Sequence, residues 1–173
     1  SPEAVARFDY VFTDSMTFTD QRGKRTRLWI KDEVEVGDPQ AFMDLLVEKA
    51  VGILENEPVD LYVNPTFLPD VIAKDYDTLW TEERMRKVIA AAVKSGVAIE
   101  INSRFRLPSL AFIKLAKSLG SKFSLGTNNG DRDLGRLEYS LQMIREAGLT
   151  EKDMFVPKPH GKKPVQVKGF KTR

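Results

Sequence analysis

Four short runs rich in β-branched and aromatic residues recur along this chain, at 8–13 (FDYVFT), 59–63 (VDLYV), 97–101 (VAIEI) and 122–126 (KFSLG), each ending at Thr or Asn or just before one. A stretch of helical period follows each of them. This alternation is the strongest constraint in the sequence, because strands joined through helices pair in parallel and bury their helices outside the sheet. The first helix starts from an Asp38 N-cap with Pro39 behind it, and Phe42, Leu45, Leu46, Lys49 and Ile53 form its face up to Asn56. The second opens at Thr81, shows Met85, Val88, Ile89, Ala92 and Val93, and closes at Gly96. A third runs from Pro108 through Phe112, Leu115, Ala116 and Leu119 to Gly120. The last is capped by Asp131 or Asp133 and carries Leu134, Leu137, Leu141 and Ile144 up to Gly148. A polar hairpin-like stretch follows the first run, and residues 22–36 alternate around a glycine turn, which suggests an excursion with two short extended pieces. Segment 64–70 (NPTFLPD) reads as a loop.

The fold class is therefore α/β. A closed eight-unit barrel takes about 250 residues, and only four or five units fit in 173. The expectation is a partial or distorted (β/α) barrel, TIM-barrel-like with parallel strands, or else a smaller open sheet. An incomplete barrel exposes apolar strand edges that another chain or further residues must cover, so self-association is expected.

Composition removes several function classes. No apolar stretch approaches the 18 or so residues of a membrane helix and no signal-peptide pattern opens the chain, so the expectation is a cytoplasmic protein with no membrane partner. There is no cysteine, hence no thiolate metal site or cysteine nucleophile, and the single histidine, His160, cannot by itself build a His-rich zinc or iron centre. Residues 157–173 carry six basic residues and no acid, leaving 21 basic against 25 acidic residues in 1–156. The chain thus divides into a β/α domain, 1–156, and a basic tail, 157–173, and the acidic body argues against a nucleic-acid partner.

Chemistry in parallel α/β folds sits where strands end at their C-terminal side. Those ends carry Thr13 and Asp14, then Asn64, then Asn102 with Ser103 and Arg104, then Thr127, Asn128 and Asn129. The asparagines make a rim of amide donors and acceptors suited to hydroxyls, carbonyls or phosphate oxygens, although asparagine also favours turns. Arg104 and Arg106 would add guanidinium forks for an anion. Glu100 shares a strand face with Asn102 and Ala98. It is a candidate acid or base if that face lines a barrel interior, or a buried carboxylate paired with an arginine or lysine. Segment 126–135 (GTNNGDRDLG) matches neither a P-loop nor a dinucleotide fingerprint, and there is no G-x-S-x-G elbow. No cofactor is expected.

The succession FDYVFTDSM, VDLYVNPTFLP, GVAIEINSRFRLPS and GSKFSLGTNNGDRDLGRLEYSLQMIREAGL resembles the last two thirds of the PHP superfamily, the polymerase and histidinol phosphatase group of metal-dependent phosphoesterases. The resemblance covers roughly residues 8–155. It implies a distorted barrel of seven β/α units with two or three metals at the strand ends. Glu100 and Asn102 match the family's EIN, which lines the pocket. The family's His-Pro strand end reads Asn64-Pro65 here, its Ser-Asp-x-His loop reads Thr127-Asn128-Asn129-Gly130, and a further histidine position falls near Met16. The family's opening His-x-His pair and a glutamate ligand would lie upstream of Ser1.

The resemblance with these substitutions implies no metal ligand in this chain and two functions. One is a catalytically silent or repurposed barrel that binds a small polar or anionic ligand through Asn64, Glu100, Asn102, Arg104, Thr127, Asn128 and Asn129. The other is a metal-dependent phosphoesterase completed by upstream residues or a partner subunit. No catalytic residue is assigned.

Overall fold

In the computed structural model, residues 4–5, 7–20, 22–128 and 134–158 are described. Strand β1 (Phe12–Thr13) is followed by an antiparallel hairpin, β2 (Thr17–Thr19) and β3 (Arg25–Arg27). Helix α1 (Pro39–Asn56), strand β4 (Leu61–Tyr62), the short helices α2 (Asp70–Ala73) and α3 (Tyr76–Leu79) and helix α4 (Glu82–Ser95) come next. Strand β5 (Ala98–Asn102), helix α5 (Leu110–Ser118), strand β6 (Phe123–Gly126) and helix α6 (Glu138–Ala147) complete the order. The main sheet has four parallel strands in the order β1-β4-β5-β6, so strands joined through helices are neighbours. Among the described residues, no helix is long and apolar enough to cross a membrane.

Local chemistry sets the helix ends. The Asp38 carboxylate accepts from Ala41 N at 2.8 Å, the Thr81 hydroxyl from Arg84 N and the Ser109 hydroxyl from Phe112 N, each satisfying a first-turn donor that the helix leaves open. Gly96 and Gly148 close α4 and α6 in the left-handed conformation, where a Cβ is disfavoured. Helix α1 packs on α4. Arg84 fastens the start of this pair, donating to Gln40 O and Oε1, to Asp44 and to Leu79 O.

The core lies between the helices and one face of the sheet, where Tyr62, Ile99, Ile101 and Phe123 meet Val88, Ile89, Phe112 and Ile113. The period of two and the register then put Phe12, Leu61, Ala98, Glu100 and Ser124 together on the opposite face. The outer edge of β6 is partly covered, since Phe155 N donates to Phe123 O and Met154 pairs alongside Phe123. On the β1 side Phe8, Tyr10 and Phe12 are exposed, Phe12 by 62 %.

Several local expectations shift. The first strand is two residues rather than six, because bends occupy 8–9 and only Phe12 and Thr13 pair with β4. The buried face of α1 is Phe42, Met43, Leu46, Val47, Ala50 and Leu54. Leu45, Lys49 and Ile53 are only half-buried at its margin, because the packing of α1 on α4 sets which side is covered. Val93, assigned to the α4 core face, is exposed. The third helix starts after Ser109 rather than at Pro108. The last starts at Glu138, so Leu134 and Leu137 precede it and Leu134 is exposed, while Asp131 and Asp133 lie outside the described residues.

Candidate functional site

Three strand ends converge on one carboxylate. Glu100, 93 % buried by its 7 % exposure, accepts on Oε2 from Asn64 N at 2.8 Å and from Asn102 Nδ2 at 3.1 Å. The Asn102 amide also donates to Asn64 Oδ1 at 3.0 Å, and Asn64 Nδ2 donates to Asn128 Oδ1 at 3.2 Å. The described partners of Glu100 are thus amide donors, where an arginine or lysine had been the alternative to a catalytic role. Asn102 Oδ1 accepts from Phe105 N at 3.0 Å, which turns the loop after β5, and Leu107 returns to pair with Asn102. The network therefore links β4, β5 and the end of β6 through side chains.

The backbone is shaped to make this possible. Asn64 and Asn128 sit at φ 50° and 59°, a left-handed region that asparagine tolerates better than most residues and that clusters at functional sites. The loop after Asn64 is pinned from outside: Trp80 Nε1 donates to Thr66 O at 3.0 Å, and Tyr76 OH bonds Thr66 Oγ1 at 2.6 Å. Across the sheet, Gly126 lies against Glu100 so closely that an added Cβ would fall 1.8 Å from Oε1. A glycine within a strand often marks such an approach.

Asp14, at the end of β1, belongs to the same neighbourhood. Its carboxylate accepts from Met16 N at 3.0 Å and is held by the Asn64 side chain, while Met16 itself is buried. Burial raises the Asp14 pKa, and those two hydrogen bonds oppose the rise. Glu100 is raised for the same leading reason; the Asn64 and Asn102 donors oppose it and the charge of Asp14 adds to it. Behind them the fully buried Tyr62 phenol, pushed upward by burial, is hydrogen-bonded to Ser15.

A cleft of about 480 Å³ opens beside this network on the face of the sheet away from the helices. Tyr10, Phe12, Leu61, Val63 and Phe155 form its apolar part; Glu100, Ser124, Thr127 and Asn128 form its polar end. A larger groove, about 770 Å³, runs between α1 and α4 on the outer surface. Its polar lining is taken up by ion pairs such as Lys87 with Glu83 and Lys94 with Glu55, so convergent groups favour the smaller cleft.

Comparison with protein-family models, curated proteins and solved structures gives no match. The site must be read from its own residues. Asn64, Glu100, Asn102 and Asn128 are brought together, and Thr127 lines the cleft with Glu100 and Asn128. Arg104 is exposed with its guanidinium 5.8 Å from the Phe105 ring centroid, and Arg106 lies 5.0 Å from that of Tyr139. Neither is among the described residues lining the cleft. Asn129 and His160 lie outside the described residues. The residues not assigned from sequence are Gly126, Tyr10, Phe12 and Phe155. The glycine had a signal, a lone Gly ending a strand, but its register, opposite Asn102 and diagonal to Glu100, came only with the sheet.

The donor set does not fit a di- or trinuclear metal centre. No group of three or more His, Cys, Asp or Glu residues suited to a metal occurs among the described residues. Neutral amides bind hard cations weakly and do not replace imidazole for zinc.

Proposed function

We propose that this chain is a PHP-like β/α protein, a partial or distorted barrel, in which the strand ends bind a small polar ligand instead of assembling a hydrolytic metal cluster. The observation that carries this reading is the set of hydrogen bonds joining Asn64, Glu100, Asn102 and Asn128. Three of these four stand at strand ends where the resemblance would place the mouth of the barrel, and Glu100 borders the cleft with both of its described bonds on Oε2. Parallel strands in sequential order, with the helices packed on one face, support the barrel reading. Among polar ligands, an anion is disfavoured. It would face the Glu100 carboxylate with Asp14 nearby.

A second reading has one observation in its favour: the Asp14 carboxylate is close enough to raise the pKa of Glu100. With waters and other chains they could hold a hard cation such as Mg²⁺ and serve a phosphoesterase. Elemental analysis of the purified protein after exposure to Zn²⁺, Mn²⁺ and Mg²⁺, with a generic phosphomonoester assay, separates the two. The first reading expects no stoichiometric metal and no chelator-sensitive turnover. One or more metal equivalents per chain with activity abolished by chelation would overturn it.

A further inference from the structure

The polar end of the cleft has an acceptor in excess. Both described bonds to Glu100 fall on Oε2, while Oε1 lies over Gly126 at the cleft wall, on a side chain more than nine-tenths buried. Asn128 Oδ1, already accepting from Asn64, is a carbonyl oxygen with a second lone pair. Beyond these acceptors and the Ser124 and Thr127 hydroxyls, the lining is largely hydrocarbon and aromatic, including Tyr10 and Phe155 in an edge-to-face pair at 6.0 Å and the exposed Phe12. A ligand that matches this asymmetry has one head that donates hydrogen bonds and a short apolar body. A polyol would leave hydroxyls unpaired against the rings, and a carboxylate or phosphate head would meet Glu100 with no arginine in the lining.

We propose that the cleft binds an organic ammonium ion, a primary amine on a short hydrocarbon body, with the head on Glu100 Oε1 and the body against Phe12, Tyr10 and Phe155. The inference rests on the strand-end mouth being a ligand site, as read above. The partly enclosed carboxylate gives an ammonium head a charge-assisted hydrogen bond stronger than that to a neutral hydroxyl, and the rings cover the hydrocarbon body. A volume of about 480 Å³ is of the size that small-molecule sites occupy.

Three probes with one chain and different heads test this: hexylammonium, hexan-1-ol and hexanoate, titrated into ¹⁵N-labelled protein. Hexylammonium should give saturable shifts at the amides of Glu100, Gly126 and Asn128, with hexanol and hexanoate weaker by about tenfold or more, or ~1.4 kcal/mol. Glu100→Gln keeps a carbonyl for the two amide donors and should collapse the preference for ammonium over hexanol. If that variant melts out, Glu100→Asp draws the carboxylate back by one methylene and should lower the preference to about threefold or less. The proposal is overturned if hexylammonium gives no saturable shift, if another head binds as tightly, or if the preference is undiminished in the variant that folds. Saturable binding of hexanol or hexanoate at the same amides would retain the polar mouth while removing the ammonium assignment. Stoichiometric metal would remove the mouth reading itself.

Discussion

Replacing Gly126 by alanine tests the architecture of the site directly. The added Cβ would lie 1.8 Å from Glu100 Oε1, 2.7 Å from Cδ and 3.1 Å from Cγ. Against an optimal non-bonded separation of about 3.5 Å, the carboxylate must retreat by roughly 1.7 Å. That retreat breaks the bonds from Asn64 N at 2.8 Å and Asn102 Nδ2 at 3.1 Å. Hydrogen bonds to a charged group contribute about 1.5–3 kcal/mol each; with partial recovery by water in the cleft, the expected net loss is about 2–4 kcal/mol. The backbone is not the cause, because Gly126 is not among the positive-φ glycines and alanine in a strand is if anything favourable. Urea denaturation followed by circular dichroism, in a double-mutant cycle with Glu100→Ala, reads the effect. In the Glu100→Ala background the alanine should cost about 0.5 kcal/mol or less. An equal cost in both backgrounds, or a single variant within about 0.5 kcal/mol of the parent, would refute the steric argument.

Three further outcomes follow from described contacts. Because burial raises the Glu100 pKa above its ordinary 4.5, folding favours the protonated acid, so this contribution is full below pH 4.5 and is lost as pH rises through the folded-state value. The stability of Glu100→Gln should therefore improve relative to the parent as pH climbs from about 4 to 7, and parallel curves would contradict it. Ser140, fully buried, donates to Ile101 O at 2.8 Å and pairs with Ser103 Oγ at 2.7 Å, tying α6 to β5. Ser140→Ala should cost about 1–3 kcal/mol in thermal or chemical melts by leaving buried groups unpaired. If the open β1 side mediates self-association, Phe8→Glu should shift sedimentation toward the monomer, and an unchanged distribution would place any contact elsewhere.

The alternation of strand runs and capped helices was legible because each element carried its own signal. Asp38-Pro39, Thr81 and Gly96 mark ends whatever the tertiary context, and their reading agrees with the helices observed. What failed was non-local. The α1 face turned toward Met43, Val47 and Leu54 because α4 decides which side is buried, and the six-residue first run shrank to two paired residues because only Leu61 and Tyr62 offer partners. At the site, the asparagines were visible as strand endings. That they bond one another, with Gly126 making room for Glu100, depends on inter-strand register that no local pattern encodes.

The brevity of β1 has a thermodynamic consequence for whatever enters the cleft. This strand is held by two residue pairs, by Asp60 N and Leu61 N donating to Val11 O, by Val63 N donating to Thr13 O and by the buried Asp60 carboxylate accepting from Val11 N. Such a margin makes it a segment prone to open locally without global unfolding. Yet Phe12 forms one wall of the cleft and Glu100 another. A ligand touching both binds only the docked form, so occupancy and docking are linked equilibria. At a hundred times its Kd it would stabilise docking by about 2.7 kcal/mol, slowing exchange of the Val63 amide by roughly a hundredfold while amides of α4 exchange through unrelated openings. The weakest strand of the sheet thereby becomes the one whose protection reports on binding.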